Sequence, residues 1–78
     1  MKIRYYPETD SLYIELLPQP GADVTVVGDD IRIDVDVTGR AVGIDIDNAS
    51  KYYDVGNLET TGIAAVRLAL TPNEPSHA

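Results

Sequence analysis

The stretch Ile31-Arg32-Ile33-Asp34-Val35-Asp36-Val37-Thr38-Gly39-Arg40-Ala41-Val42-Gly43-Ile44-Asp45-Ile46 decides the fold. Apolar and polar residues alternate on both sides of Thr38-Gly39, which marks two strands, Asp30–Val37 and Ala41–Asp47, joined by a turn. In an antiparallel pair, facing residues have a constant number sum and successive side chains alternate faces. A two-residue loop at Thr38-Gly39 pairs Val35 with Val42, Ile33 with Ile44 and Ile31 with Ile46, and it sets Arg32 against Asp45 on the polar side. A four-residue loop from Val37 to Arg40 keeps the same pairing. An odd-length loop sets every apolar residue against a polar one, so the expected loop is even.

Working outward, Asp23–Val27 forms a hairpin with Asp30–Val37 across Gly28-Asp29, a primed-turn sequence that pairs Val26 with Ile31 and Val24 with Ile33. Lys2 to Tyr6 and Ser11 to Leu17 flank Pro7-Glu8-Thr9-Asp10, where Pro presets a type I turn. That loop puts Tyr5 opposite Leu12, Ile3 opposite Ile14 and Lys2 opposite Glu15. One face then carries Ile3, Tyr5, Leu12, Ile14, Leu16, Val24, Val26, Ile31, Ile33, Val35, Val42, Ile44 and Ile46. The other carries Arg4, Tyr13, Glu15, Thr25, Arg32, Asp34, Asp36, Asp45 and Asp47. The expected fold is mainly β: a five-stranded antiparallel sheet in meander order, apolar on one side. Pro18-Gln19-Pro20-Gly21 is its only long connection. Asn48-Ala49-Ser50 offers caps for a short helical turn through Lys51-Tyr52-Tyr53. Ile63 to Leu70 fits a helical stripe or a strand, and its alanines favour helix. The expected single domain spans 1–70, with 71–78 as a tail.

The 78 residues leave room for one domain, and a chain of this size buries little surface. With no cysteine, neither disulfide, thiol catalysis nor thiolate metal site is available, which fits a reducing, cytoplasmic setting. Met1-Lys2-Ile3-Arg4-Tyr5-Tyr6 is not followed by the apolar run of a signal peptide, and no stretch reaches the about 20 residues of a membrane span. A net charge of −7 with scattered Lys and Arg repels nucleic acid and would complement a basic protein partner.

Asp34-Val35-Asp36-Val37-Thr38-Gly39, with Asp45 in twelfth position, meets part of a calcium-loop pattern. Its flanks read as strands where a calcium hand needs helices, and Gly39 already belongs to the hairpin turn. Asp34, Asp36, Asp45 and Asp47, with Asp29 and Asp30 nearby, form an acidic face of the kind that can hold Mg²⁺ or Mn²⁺ or act in acid/base pairs. Acids alternating on an exposed strand also simply solvate it and discourage aggregation. The only histidine, His77, lies beside the terminus after two prolines, which removes a histidine-based triad. No catalytic residue, cofactor site or metal site is assigned. The five tyrosines are the only aromatic residues. Tyr5 reads as core, and Tyr6, Tyr13, Tyr52 and Tyr53 are the candidate interaction residues, since tyrosine is favoured at interfaces.

Lys2-Ile3-Arg4-Tyr5, Asp10-Ser11-Leu12-Tyr13-Ile14, Gly28-Asp29-Asp30-Ile31 through Asp36, Gly39-Arg40-Ala41-Val42-Gly43-Ile44-Asp45-Ile46 and Asn48-Ala49-Ser50-Lys51 together resemble the domain of unknown function 2283 family of small prokaryotic proteins. The resemblance covers about Met1 to Lys51. It implies a compact bacterial protein with no assigned activity, and an antitoxin-like role beside a toxin-like partner. The functional expectation is a protein-interaction module. The alternatives are a metal-dependent or acid/base enzyme on the acidic face, or a small-molecule binder inside a curled sheet. Thirteen apolar side chains on one face, with no Phe or Trp to cover them, lead to the expectation of a homodimer.

Overall fold

The computed structural model describes residues 1–63. Five strands, β1 (Lys2–Tyr6), β2 (Ser11–Glu15), β3 (Asp23–Val27), β4 (Ile31–Val35) and β5 (Ala41–Ile46), form one antiparallel sheet. A helical turn α1 (Ala49–Tyr52) and a 3-10 turn (Val55–Asn57) follow. The mainly β architecture with a short helix after the sheet is the one the alternation dictates. The readings for Leu70 and the tail lie outside the described residues, as does nearly all of the 63–70 segment.

The strand order is β1-β2-β5-β4-β3, which corrects the meander. Taken from β5 backwards, three hairpin-linked strands are followed by β2, which reaches the far side of β5 through a long connection: a Greek key. Two features favour β5 over β3 as the neighbour of β2. The pairing sets Leu12 against Ile46 and Ile14 against Ile44, larger aliphatic partners than the valines of β3. It also brings Tyr13 beside Gly43, where the ring crosses the polar face into the space a Cβ would take and its hydroxyl donates to Asp34 Oδ2 (3.1 Å). The connection has no ladder role of its own, because Pro18 and Pro20 have no N–H to give. It leaves β2 with Leu16 N and Leu17 N both donating to Val42 O (2.9 and 3.2 Å) and rejoins the sheet with Ala22 N donating to Val35 O (2.7 Å).

The central register is as expected at Ile31–Ile46, Arg32–Asp45 and Ile33–Ile44. Val35, however, faces Ala41 rather than Val42, because a bulge follows Asp34–Gly43. The loop is odd after all. Asp36 N donates to Arg40 O (2.9 Å), leaving residues 37–39 as the loop, with Gly39 at φ +87°. An odd loop alone would invert the faces; the bulge inserts Val42 and restores them. Asp36 Oδ1 closes this turn by accepting from Thr38 N (2.9 Å), Thr38 Oγ1 (2.6 Å) and Arg40 N (3.0 Å).

The β3–β4 hairpin is also odd, and nothing compensates. Gly28 at φ +65° opens a loop through Asp30, so Val27 faces Ile31 and Thr25 faces Ile33. Val26 then faces Arg32 and Val24 faces Asp34. Val24 and Val26 therefore lie on the polar face, and Thr25 and Val27 on the apolar one, the reverse of the two-residue-loop reading. The β1–β2 hairpin pairs as expected, Tyr5–Leu12, Ile3–Ile14 and Lys2–Glu15.

If β2 lies against β5, Gly43→Ala is expected to destabilise the fold by about 1–3 kcal/mol by forcing Tyr13 off its rotamer. Tyr13→Ala in the same chain is expected to relieve part of that loss. A double-mutant cycle by denaturant unfolding checks it: additive effects, with no coupling between the two positions, would rule out this strand order.

Candidate functional site

The polar face is assembled from side chains that answer one another. Arg32 reaches Asp45 (3.0 Å) and Asp47 (2.8 Å), and Arg4 lies 3.7 Å from Glu15. Tyr13 holds Asp34, and Gln19 Nε2 donates to Asp36 Oδ2 (3.4 Å). The Asp47 and Asp45 carboxylates raise the Arg32 pKa, and burial, with the Asp34 carboxylate next, raises that of the Tyr13 hydroxyl. Among the described residues no three His, Asp or Glu side chains converge as a metal ion requires. The partial calcium pattern falls on this arrangement: Asp36 is engaged in its own turn, and Asp34 and Asp45 are bonded to Tyr13 and Arg32.

The candidate interaction tyrosines do not form one cluster. Tyr52 and Tyr53, 57% and 40% exposed, line a cavity of about 350 Å³ with Asp29, Asp30 and Asn48. The neighbouring Asp30 carboxylate raises the Tyr53 pKa, and Lys51 Nζ stands 5.2 Å from the centre of the Tyr52 ring. Tyr6 ends β1 opposite Ser11, and Tyr13 lies midway along the polar face.

Two features were not singled out from the sequence. The first is a clasp centred on Asp10, which sits at φ +52° in the β1–β2 turn. Its backbone carbonyl accepts from Ala49 N (2.9 Å), and its carboxylate accepts from Ser50 N (3.1 Å), Ser50 Oγ (2.9 Å) and Tyr5 Oη (2.6 Å). The cap for α1 thus comes from the β1–β2 turn, which lies beside the end of β5. Asn48, expected to cap through its side chain, makes no such bond and takes φ +52°. The Tyr5 hydrogen bond, with those from Ser50, lowers the Asp10 pKa against the opposing effect of burial. The one available signal was an Asp in a turn, a residue type that tolerates the left-handed region.

The second is a groove of about 440 Å³ on the apolar face, lined by Ile3, Tyr5, Leu12, Val55, Gly56 and Leu58. Tyr5, expected in the core, is 44% exposed here, with Ile3 at 46%. Only Val42 and Ala49 are fully buried apolar residues among the described ones.

A single antiparallel sheet with a polar face of paired side chains, an apolar face exposed at Ile3 and Tyr5 and a clasped helical turn defines a small β-sheet domain. The chain belongs to the family described as protein of unknown function (DUF2283), whose model matches residues 2–50. The match takes in all five strands and ends on Ser50, the residue Asp10 holds. No curated protein and no solved structure matches the chain. Among the described residues no helix is long and apolar enough to cross a membrane.

Because the folded Asp10 pKa is lowered, the clasp contributes stability that is complete above the ordinary carboxylate value of about 3.9 and is lost as pH falls through the lower folded value. Asp10→Asn is expected to melt below wild type at neutral pH, with the gap closing in acid. Melting temperatures measured from neutral to acid pH check this, and a gap independent of pH would show that the carboxylate charge plays no part.

Proposed function

We propose that this chain is a non-enzymatic protein-interaction module, antitoxin-like in binding a basic protein, with the apolar sheet face as its docking surface. The observation that carries the reading is the openness of that face. A one-layer sheet that leaves Ile3, Tyr5 and Val27 44–48% exposed presents the kind of apolar patch that soluble proteins use for binding. The groove between β1, β2 and the 3-10 turn supplies a recess for an apolar anchor side chain, the usual centre of binding energy at an interface. A net charge of −7 steers a basic partner and disfavours an acidic one. The acids of the polar face, bonded to Arg32, Tyr13 and the Asp36 turn, support this reading over acid/base or metal chemistry there.

Affinity capture from the native host with three baits tests the proposal. Wild type and Lys2→Ala, altered on the polar face, are expected to retain the same basic protein. Ile3→Glu, which sets a charge in the groove, is expected to weaken retention by at least about tenfold. Capture that is indifferent to Ile3→Glu, or a dominant acidic partner, would defeat the reading.

A further inference from the structure

The two edges of the sheet are built differently. β1 carries Lys2 and Arg4, with Arg4 beside Glu15, and charged edges resist the addition of another strand. β3 reads Asp23-Val24-Thr25-Val26-Val27, with no Lys, Arg or Pro and no break in its register. All five residues are exposed, with Val24 at 48%, Val26 at 63% and Val27 at 48%. Val24 and Val26 stand on the polar face beside Asp34 and Arg32, valines placed where the rest of the face is charged or polar.

The backbone of β3 points the same way. Alternate residues of an antiparallel strand direct both backbone groups to one side. The Val24 N–H is taken by the Asp23 side chain (2.8 Å), so Val24, and with it Val26, aims its backbone away from β4. An unguarded edge with apolar side chains on both faces and outward backbone groups is a template for a further strand.

We propose that β3 pairs antiparallel with β3 of a second copy of this chain, about a two-fold axis at Thr25, joining two sheets into one. This pairing goes beyond the interaction reading: it uses the β3 edge rather than the apolar face, and the basic partner plays no part in it. The second copy is favoured over a foreign strand because β3 is its own complement. Centring the axis on Thr25 sets Val24 against Val26 of the second copy and Val26 against its Val24. Those are the residues with outward backbone groups, so each pair exchanges both N–H···O bonds. The valines meet as cross-strand pairs on one face. Asp23 falls opposite Val27 of the second copy, so no acid faces an acid although each chain carries −7. The Asp23 carboxylate occupies the Val24 N–H in the single chain and releases it on pairing. Facing residues share a side, so both apolar faces come to lie on the same side of the joined sheet.

Light scattering after size exclusion, over a dilution series, tests it with wild type, Val26→Lys and Ile3→Glu. Wild type is expected at twice the 8.5 kDa chain mass. Val26→Lys, with an unchanged circular dichroism spectrum, is expected to run as a single chain, and Ile3→Glu to remain a dimer. Amide exchange gives a second readout that needs no variant: Val24 and Val26 N–H are expected to be protected in concentrated solution and to lose protection on dilution. A wild-type mass of 8.5 kDa at every concentration overturns the proposal. So does a dimer that survives Val26→Lys, or one that Ile3→Glu alone dissolves. Those edge results leave the capture experiment standing, because its decisive variant lies on the other surface.

Discussion

Everything else in the sheet depends on β5 having an aliphatic neighbour on each side. Ile44 stands between Ile14 and Ile33, and Ile46 between Leu12 and Ile31. In a one-layer sheet these lateral contacts, rather than packing between layers, remove apolar surface from water, each methylene contributing about 0.8 kcal/mol when fully buried. The chain has no Phe or Trp to build a second layer, so the strand with partners on both sides becomes the core. Val42, inserted by the bulge, is its most buried side chain at 1% exposure. The Asp10 clasp then fixes the remaining freedom, tying the β1–β2 turn to the first residues after β5.

Alternation in the sequence determines which residues can share a face, and it placed Ile3, Tyr5, Leu12, Ile14, Ile31, Ile33, Ile44 and Ile46 together. It does not determine loop parity. At Val37–Gly39 an odd loop and a bulge cancel, so the faces came out right although the loop did not. At Gly28–Asp30 no bulge intervenes, and Val24 and Val26 change sides. Strand order was hidden for a related reason: β2 has the same alternation whether it meets β3 or β5. The deciding contact, Tyr13 across Gly43, joins residues far apart in sequence. Of the site features, the acidic face and the Arg32–Asp45 pair were legible from the β4–β5 hairpin, but the Tyr13–Asp34 hydrogen bond depends on that order. The clasp and the groove were not legible, because each combines short-range turns that meet only in the folded chain.

The two faces consequently divide the chemistry. On one, carboxylates are matched by guanidinium, phenol and amide groups, which leaves a hydrated surface with its polar groups engaged. On the other, aliphatic side chains such as Ile3 and Val27 meet solvent, and among the described residues Val55, Gly56 and Leu58 reach across part of β1 and β2. A domain organised this way leaves its exposed apolar side chains on the apolar side and along β3.

The long connection from β2 to β3 has a consequence for how the chain reaches this state. It separates two locally closed units, the β1–β2 hairpin and the β3–β4–β5 meander, each held by neighbours in sequence. Among the described residues, the β2–β5 ladder, the bonds from Leu16 and Leu17 to Val42 O, the Tyr13–Asp34 and Gln19–Asp36 contacts and the Asp10–Ser50 clasp bind one unit to the other. Contacts that span much of the chain carry the largest loop-closure entropy, so the contacts between the two units are the costliest to form. Pro18 to Gly21 is exposed, the kind of segment where proteolytic nicking concentrates. In topological terms the domain is a two-part assembly that happens to be encoded as one polypeptide.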